Sequence, residues 1–562
     1  MYNMAEQTMR DGGLDPKMST TIYQNGKIYL GGGRFAEAFA VSDGVFSAVG
    51  TNGEAARAAG GDSGCTVVDL HGGFVCAGFN DSHTHLLNYG NALNAVMLSD
   101  HTRSLSDMKR AIRGFIDEHR VAPGCFVNAL GWNHDYFTDV HRMPTRYDLD
   151  EVSRVHPIIA YRCCGHCVVM NSRALEVLGF DEHTPCPEGG SIGRDEHGLN
   201  GLFFDNAINA VKERTPAPST EALKAYMRDA CRALNAYGIT SCQTDDYSTF
   251  DSVPYAAVNE AYRALEREGT LTVRVYEQCN FRTPEAFRAF LADGNRSGQG
   301  SDLFRLGPLK MLGDGSLGAR TALLSSPYSD APGERGLGIY TQAQFDDMIL
   351  CAAAHGFSAA VHAIGDGCLD MVLDAVEQAQ RQFPESGLRH GIVHCQVTRP
   401  DQLDRIARMR LHVYAQTVFL DYDIHIVGDR LGEDRAASSY SWKTLMDKGV
   451  TVSNGSDCPV ELPDVMKGIQ CAVTRCAVCD GMGPYLPGQA FTVAEALDSF
   501  TIASARASFE EDRKGLIAPG YIADFVRLGR DPFSVPPDEL AAVTIEETYV
   551  GGVRVFARDG GQ

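Results

Sequence analysis

The sequence lacks the features of membrane, secreted and nucleic-acid-binding proteins. No apolar run approaches the roughly 18 residues that a membrane span requires, and residues 1–20 contain no apolar core typical of a signal peptide. Lys and Arg number 50 against 72 Asp and Glu, which gives a formal net charge of -22. Phosphate binding requires clustered basic residues. We therefore expect a cytoplasmic protein that binds neither membranes nor nucleic acid.

A disulfide scaffold is also absent. The 17 cysteines are scattered through 562 residues, so reduced thiols are expected. Two pairs have Cys-x-x-Cys spacing, Cys164 with Cys167 and Cys476 with Cys479, and together they would supply four thiolates for zinc. The pairs are far apart in the chain and lack the turns of a zinc ribbon. Buried apolar cysteine is therefore the simpler interpretation.

Both ends of the chain have a sequence pattern typical of a small β-domain. Short apolar runs separated by glycine turns, such as Asn25-Gly26, fill residues 21–75 and recur in 510–562. We expect these two segments to build one composite β-sandwich, preceded by a flexible tail over residues 1–20.

The middle of the chain, residues 76–509, alternates apolar strands with amphipathic helical stretches, which predicts a parallel sheet. Eight strand candidates can be counted: the one that contains His83, and residues 238–242, 271–276, 306–312, 357–362, 391–394, 412–418 and 450–455. The fold class is therefore α/β, a closed (β/α)8 TIM-like barrel. Residues 99–219 are too long for one crossover, so we expect an insertion subdomain after strand 1 that overhangs the active-site mouth.

Candidate metal ligands follow several of these strands. Side chains alternate faces along a strand, so His83 and His85 point the same way, which favours a divalent metal site. His362, His394 and Asp457 each close a later apolar run. Barrel enzymes keep their catalytic groups at this carboxyl-terminal end of the strands.

These residues carry a family resemblance that spans residues 23–556. The set of His-x-His, Lys, His, His and Asp on successive strands resembles the amidohydrolase superfamily. The amidohydrolase-3, or YtcJ-like, branch is indicated by four motifs, Gly78-Phe79-Asn80-Asp81-Ser82-His83-Thr84-His85, Gly313-Asp314-Gly315-Ser316-Leu317-Gly318-Ala319-Arg320-Thr321-Ala322, Val361-His362-Ala363-Ile364-Gly365-Asp366 and Gly455-Ser456-Asp457-Cys458-Pro459-Val460.

The resemblance implies a metal site of one or two divalent ions, with zinc as the expected metal. His83 and His85 would bind the more buried ion, and His362 with His394 the second. Lys310, carboxylated by carbon dioxide, would bridge them, and Asp457 would contact the first ion and act as general base and acid. The alternative for Lys310 is an ordinary buried lysine paired with a carboxylate such as Asp314, which leaves a one-metal site.

The expected function is metal-dependent hydrolysis of a non-peptide C–N bond in a small amide, N-acyl or N-formyl compound. A bound divalent ion lowers the pKa of water from about 15.7 toward about 7 and supplies hydroxide at neutral pH. Deamination or ester hydrolysis on the same site stays open, as does a metal-free assembly or binding protein. The state of association, including a homo-oligomer, is also left open.

Four residues are candidates for substrate binding, each with a structural alternative. His166 would hydrogen-bond substrate or serve as a structural histidine, and Trp132 would line the pocket or pack in the insertion core. Asp314 and Arg320 would form a mutual salt bridge, unless Arg320 clamps a substrate carboxylate.

The chain departs from the branch at three points outside the metal ligands. Val393 replaces a usual Glu, residues 415–419 replace a Gln-Pro-x-His segment, and Asp205 stands where relatives have Glu. We therefore expect a substrate preference that differs from that of the relatives.

Overall fold

The computed structural model describes residues 20–58 and 65–558. The predicted tail lies outside the described residues except for Thr20. Within the described part, none of the helices combines the length and the apolar character that crossing a bilayer demands. The chain divides into two compact units: the first comprises the residues up to His85, Cys231–Asp246 and the residues from Glu268 onward, and the second comprises Leu86–Ala230 and Tyr247–Arg267.

The centre of the first unit is an eight-stranded parallel sheet whose strands follow one another in chain order. Its residues are mostly buried on both faces, as in Arg274–Asn280, because helices cover parallel sheets. The Asp457 N–H donates to the His83 carbonyl at 2.8 Å, which links the end of the last strand to the first. The expected TIM-like barrel is confirmed, and its strands are Phe79–Thr84, Ile239–Thr244, Arg274–Asn280, Phe304–Leu312, Ala359–Ala363, Gly391–His394, His412–Ala415 and Val452–Asn454.

Helices with clear start signals connect these strands. Thr341 caps the helix Gln342–Ala354 in a capping box with Gln344, and Pro400 opens the helix Pro400–Met409, where its missing N–H costs nothing. The further helices from residue 268 onward are Pro284–Ala292, Asp366–Gln382, Leu420–Asp423, Val427–Ala436, Trp442–Asp447, Val465–Thr474, Val493–Ser499 and Ile502–Ala507, with 3₁₀ turns at Thr417–Phe419, Pro487–Gln489 and Pro537–Ala542.

Strands from both chain ends share one sheet. Phe74–Ala77 pairs with Phe525–Leu528 in a six-stranded sheet ordered Val553–Ala557, Ile545–Val550, Phe525–Leu528, Phe74–Ala77, Lys27–Tyr29 and Phe35–Ala36. A four-stranded sheet is ordered Val45–Gly50, Ala38–Ser42, Thr21–Gln24 and Thr66–Asp69, with the helix Asn52–Ala58 beside it. One apolar cluster contains Tyr23, Phe39 and Phe525 from the two sheets. The single composite sandwich itself stays a prediction.

The second unit contains the residues expected as an insertion and has a sheet of its own. Its strand order is Gly190–Asp195, Gly198–Asp205, Cys167–Met170, Ile158–Arg162, Val127–Trp132 and Val96–Met97. Ile158 and Ala160 belong to one apolar cluster and Ile159 to another, as the two-residue period of a strand buried on both faces requires. Its helices are Leu86–Leu93, Leu105–Glu118, Arg146–Asp150, Ser172–Val177, Ala207–Arg214 and Tyr255–Arg267, its 3₁₀ turns are Ser99–His101 and His134–Tyr136, and Thr220–Ala236 begins in it.

Candidate metal centre

Three of the expected ligands meet at the carboxyl-terminal end of the barrel. His85 Nε2 lies 2.9 Å from Asp457 Oδ1, and His83 Nε2 lies 3.3 Å from the same oxygen. Ligand atoms of these three residues are all within 4.8 Å of one another. The strand Phe79–Thr84 supplies His83, and His85 follows it directly. The shared face that the His-x-His spacing predicts is therefore present.

His394 and His362 extend this group toward the neighbouring strands. His394 Nε2 lies 4.0 Å from Asp457 Oδ2, and the His394 and His362 ring centroids are 4.5 Å apart. The side chains of His83 and His394 are only 1% and 2% exposed, whereas those of His85 and His362 are 22% and 12% exposed. Solvent therefore reaches the site on the side of His85 and His362.

Each of the four imidazoles is held by its Nδ1 atom, so its Nε2 atom is available as a metal ligand. This arrangement fixes the tautomer because a carbonyl or carboxylate oxygen can only accept. The acceptors are Gln278 Oε1 for His83 at 2.9 Å, the Asp245 carbonyl for His85 at 3.2 Å, Asp314 Oδ1 for His362 at 3.0 Å and Gln416 Oε1 for His394 at 2.7 Å.

Lys310 is fully buried on the strand Phe304–Leu312. Its Nζ makes no hydrogen bond, and the carboxylate beside it is Asp245, whose Oδ2 lies 3.4 Å away. The positive charge of Lys310 acts on His83 and His394. The alternative of a buried lysine paired with a carboxylate is therefore present with Asp245 as the partner, whereas Asp314, named as an example, is hydrogen-bonded to His362.

Burial and mutual charge set the protonation of the ligands. Burial, assisted by the charge of Lys310, lowers the pKa of His83 to about 4, and burial beside His362 holds the pKa of His394 well below its usual range. Burial opposes protonation of His85 too, but Asp457 outweighs it and raises the pKa of His85 to about 9. Although burial favours its neutral form, the pKa of Asp457 is held well below the usual range by His83 and His85. The group therefore combines neutral His83 and His394 with an ionised Asp457 that favours the protonated form of His85, so a metal that binds His85 would displace a proton.

This donor set fits a divalent transition metal. Imidazole nitrogen and carboxylate oxygen are ligands that zinc accepts. The buried Lys310 amine has the carboxylate of Asp245 at 3.4 Å but no hydrogen bond, whereas most buried polar groups are hydrogen-bonded. Both observations support the ligand set expected from the sequence.

Asp81 holds the backbone of the metal site through hydrogen bonds, a role that the sequence did not predict. Its Oδ1 accepts from the His83 N–H at 3.1 Å, and its Oδ2 accepts from Ser456 Oγ at 2.5 Å. It thus ties the first strand to the segment that carries Asp457. Burial raises its pKa to about 7. Gln278, on the third barrel strand, and Gln416, directly after the seventh, were missed as imidazole partners, because the sequence does not show which side chains of neighbouring strands meet.

Two residues expected to bind substrate, Trp132 and His166, lie in the second unit, one buried and the other exposed. The Trp132 side chain is fully buried in an apolar cluster, and its Nε1 donates to the Ala160 carbonyl at 2.9 Å. Trp132 is thus a core aromatic, and its assignment to substrate binding is wrong because substrate cannot reach it. The His166 side chain is 78% exposed, with Nδ1 3.3 Å from Asp205 Oδ1.

The assignments of Asp314 and Arg320 also need correction. Arg320 pairs with Asp330 through Nε at 3.0 Å and Nη2 at 2.8 Å, so the expected Asp314–Arg320 salt bridge is wrong. Asp314 is 3% exposed and accepts from His362 and from the Ile364 and Gly365 N–H groups. Asp314 therefore supports His362, and a contact of Asp314 or Arg320 with substrate stays a prediction.

The departure at Val393 has a physical reason in the barrel. Val393 is fully buried and packs with Ala360, Tyr414 and Ala507 in an apolar cluster. A glutamate at this position would bury a charge among apolar groups, which is costly. The neighbouring His394 keeps its place at the metal site.

Known proteins match this chain over most of its length. Residues 66–556 match the sequence profile of the amidohydrolase family. The protein YtcJ of Bacillus subtilis (strain 168) is 31% identical over 541 residues, 96% of this chain and 99% of YtcJ. The N-substituted formamide deformylase of Arthrobacter pascens is 28% identical over 542 residues, 93% of this chain and 96% of that enzyme.

A solved structure agrees with these sequence matches. The crystal structure of an uncharacterized metal-dependent hydrolase from Pyrococcus furiosus superposes with a TM-score of 0.76 at 29% identity, over 92% of this chain and 100% of that one. The predicted family is therefore confirmed. The chain belongs to the amidohydrolase family.

Proposed function

We propose that this protein hydrolyses a non-peptide C–N bond in a small amide, N-acyl or N-formyl compound. The observation that carries the proposal is the grouping of His83, His85 and His394 around Asp457, with His362 beside His394. Each imidazole is held through Nδ1, so that its Nε2 can serve as a ligand. Such a group, built at the carboxyl-terminal end of barrel strands, is typical of metal-assisted hydrolysis.

The residues that would hold the metal divide into two sets. His83, His85 and Asp457 would bind one ion, because their ligand atoms cluster within 4.8 Å. His362 and His394 would bind a second. A divalent cation bound here would lower the pKa of water and polarise a carbonyl oxygen.

Asp457 would move the proton in the reaction. Its carboxylate is ionised and 10% exposed, so it can accept a proton from the attacking water. Returning that proton to the nitrogen would let the amine leave as the C–N bond breaks. The backbone N–H of Asp457 donates to the His83 carbonyl at 2.8 Å, which fixes the Asp457 backbone beside His83.

Lys310 would complete a two-ion site if it carries a carboxylate. A neutral lysine amine can add to carbon dioxide: a bond forms between Nζ and the carbon, the amine loses a proton, and an anionic carbamate results. Lys310 Nζ is fully buried without a hydrogen bond, which supports a carbamate there. The neighbouring Asp245, whose Oδ2 lies 3.4 Å from Nζ, supports instead an unmodified lysine paired with a carboxylate and a one-ion site.

The N-formyl class has particular support from one relative. The Arthrobacter pascens protein, which matches over 93% of this chain, is named an N-substituted formamide deformylase. A small acyl group would place its carbonyl next to the metal and Asp457 without a large pocket on the acyl side. We therefore rank N-formyl compounds first among the amides.

Hydrolysis of a compound panel by metal-loaded protein tests the proposal. The panel contains N-substituted formamides, N-acetyl analogues of the same amines, cyclic amides, the matching formate esters and aminopurines. We expect release of the free amine, fastest from the formamides. The variant His362→Ala should be inactive, although its circular dichroism spectrum should equal that of the parent protein.

Three results would contradict the proposal. The first is a content of less than about one divalent ion per chain in protein that was never exposed to a chelator. The second is hydrolysis by His362→Ala at the rate of the parent protein. Turnover restricted to the aminopurines or the esters would assign the site to deamination or ester hydrolysis.

A further inference from the structure

A second group of metal-competent side chains lies apart from the residues used above. Among the described residues, ligand atoms of His425, Cys479 and Asp480 lie within 4.8 Å of one another, and all three residues are exposed. His425 lies between the helices Leu420–Asp423 and Val427–Ala436, whereas Cys479 and Asp480 follow the helix Val465–Thr474. The group therefore joins loops that come after the seventh and eighth barrel strands.

The His425 imidazole is oriented as a metal ligand. Its Nδ1 lies 3.0 Å from the Tyr422 carbonyl, which can only accept, so Nδ1 carries the hydrogen. Its Nε2 points at Asp480, with 2.9 Å between Nε2 and Oδ2. Metal-binding histidines are commonly fixed in this way by a backbone acceptor on the other ring nitrogen.

The loop that carries the other two ligands is held mainly through backbone N–H groups, and the Cys479 Sγ–H donates to the Asp421 carbonyl at 3.7 Å, a weak bond that a metal would replace. Asp480 Oδ1 accepts from the Met482 N–H at 2.9 Å, so Oδ2 is the oxygen that faces the group. Asp421 Oδ1 accepts from the Cys479 N–H at 2.9 Å and from the Val478 N–H at 2.5 Å. Lys467 Nζ, 2.6 Å from Asp421 Oδ2, fixes that carboxylate in turn.

We propose that His425, Cys479 and Asp480 form a zinc site with water in the fourth position. Imidazole, thiolate and carboxylate are all ligands of zinc, whereas calcium and magnesium take oxygen ligands. The thiolate and the carboxylate together balance the charge of a divalent ion. On binding, a Zn–S bond replaces the Cys479 S–H bond, and the proton goes to solvent.

Zinc at this position would act as a clamp between two loops. It would add three bonds across the contact that Asp421 already makes with residues 478 and 479. None of the three ligands belongs to the candidate metal centre, so this site goes beyond the proposed hydrolysis. Its expected effect is a higher melting temperature for the zinc-bound protein.

Cobalt spectroscopy separates this site from the candidate metal centre. The residues assigned to the centre are imidazoles, a lysine and a carboxylate, so a thiolate-to-cobalt charge-transfer band would not come from the centre, and its loss in Cys479→Ser would assign it to Cys479. We expect this band in the cobalt-loaded parent protein, and its loss together with one cobalt ion per chain in Cys479→Ser. Cys476→Ser is the matched control, because Cys476 lies three positions away, its Sγ–H donates to the Thr474 carbonyl at 3.4 Å, and it is not among the three grouped residues; this variant should keep the band.

A second measurement uses the exposure of Cys479. Zinc should block alkylation of Cys479 by iodoacetamide, as read by peptide mass spectrometry, while Cys125 and Cys186, which are also exposed, react equally with and without zinc. An unchanged cobalt content and band in Cys479→Ser would overturn the proposal. So would alkylation of Cys479 at the same rate with and without zinc.

Discussion

Gln278 Oε1 accepts a hydrogen bond from His83 Nδ1 at 2.9 Å, so a neutral amide holds the most buried imidazole of the metal centre. The amide orientation is fixed, because Gln278 Nε2 donates to the Ser82 carbonyl at 3.2 Å. His394 has a glutamine partner too, whereas His362 has the carboxylate of Asp314. A carboxylate partner makes an imidazole a stronger metal ligand, so the two halves of the site differ in character.

Gln278→Leu should weaken metal binding without unfolding the barrel. Leucine fills the space but accepts no hydrogen bond, so the His83 ring loses its fixed tautomer, and we expect a loss of about 10- to 100-fold in metal affinity. Competition with a chromophoric chelator measures this loss. Gln243→Leu is the matched control, because Gln243 is equally buried but donates to the Ser504 carbonyl. Equal affinities for the parent and Gln278→Leu would contradict the assigned role.

Lys310→Met should reduce the number of bound ions from two to one per chain. Methionine keeps the apolar part of the buried side chain but can neither be carboxylated nor bridge two metals. Plasma emission spectrometry of protein purified in the presence of bicarbonate gives the count. Lys514→Met is a control, since Lys514 is a buried lysine that pairs with Glu510. Equal metal content in Lys310→Met and the parent would exclude Lys310 as a ligand.

Asp457→Asn should lower kcat while leaving the fold intact. The amide cannot accept the proton of water, and the loss of a general base typically costs about 10²- to 10⁴-fold. The rate is measured on a substrate from the panel at a saturating metal concentration, so that weaker metal binding does not contribute. Asp538→Asn, at an exposed position, serves as a control. A parental rate in Asp457→Asn would refute its role in proton transfer.

The strands and their terminal ligands could be predicted from the sequence, because both depend on local patterns. A two-residue period places His83 and His85 on one face, and an apolar run that ends in His362 or His394 marks a strand end. The partners of these ligands could not be predicted in the same way. Gln278 meets His83 only because the third barrel strand lies close to the first, nearly 200 positions away in sequence.

The pairing of Arg320 shows a second limit. Its partner, Asp330, is also bound by Arg430 from a later helix. The long loop after the Lys310 strand therefore takes a path that depends on tertiary contacts, which spacing alone does not reveal. Motif neighbours such as Asp314 and Arg320 then separate, although they are six positions apart.

Two buried histidines outside the metal centre should make stability depend on pH. Burial lowers the pKa of His390 to about 4 and, with repulsion from Arg389 and Arg506, that of His412 to about 3. In the unfolded chain both titrate near 6.5, so below about pH 6.5 the unfolded state binds protons that the folded state excludes. Each histidine should then cost about 1.4 kcal/mol of stability per pH unit between about pH 6.5 and about pH 4.

The double variant His390→Asn, His412→Gln tests this dependence. Asparagine Oδ1 can replace His390 Nδ1 as the acceptor for the Ala359 N–H, and the glutamine amide can replace His412 Nε2 beside Ser453 Oγ. Melting temperatures are compared between about pH 7.5 and about pH 5.5 in the presence of chelator, so that metal release does not contribute. The parent should lose more stability than the variant on acidification, since only the parent has the two groups to protonate. An equal decrease in both proteins would show that other groups set the acid limit.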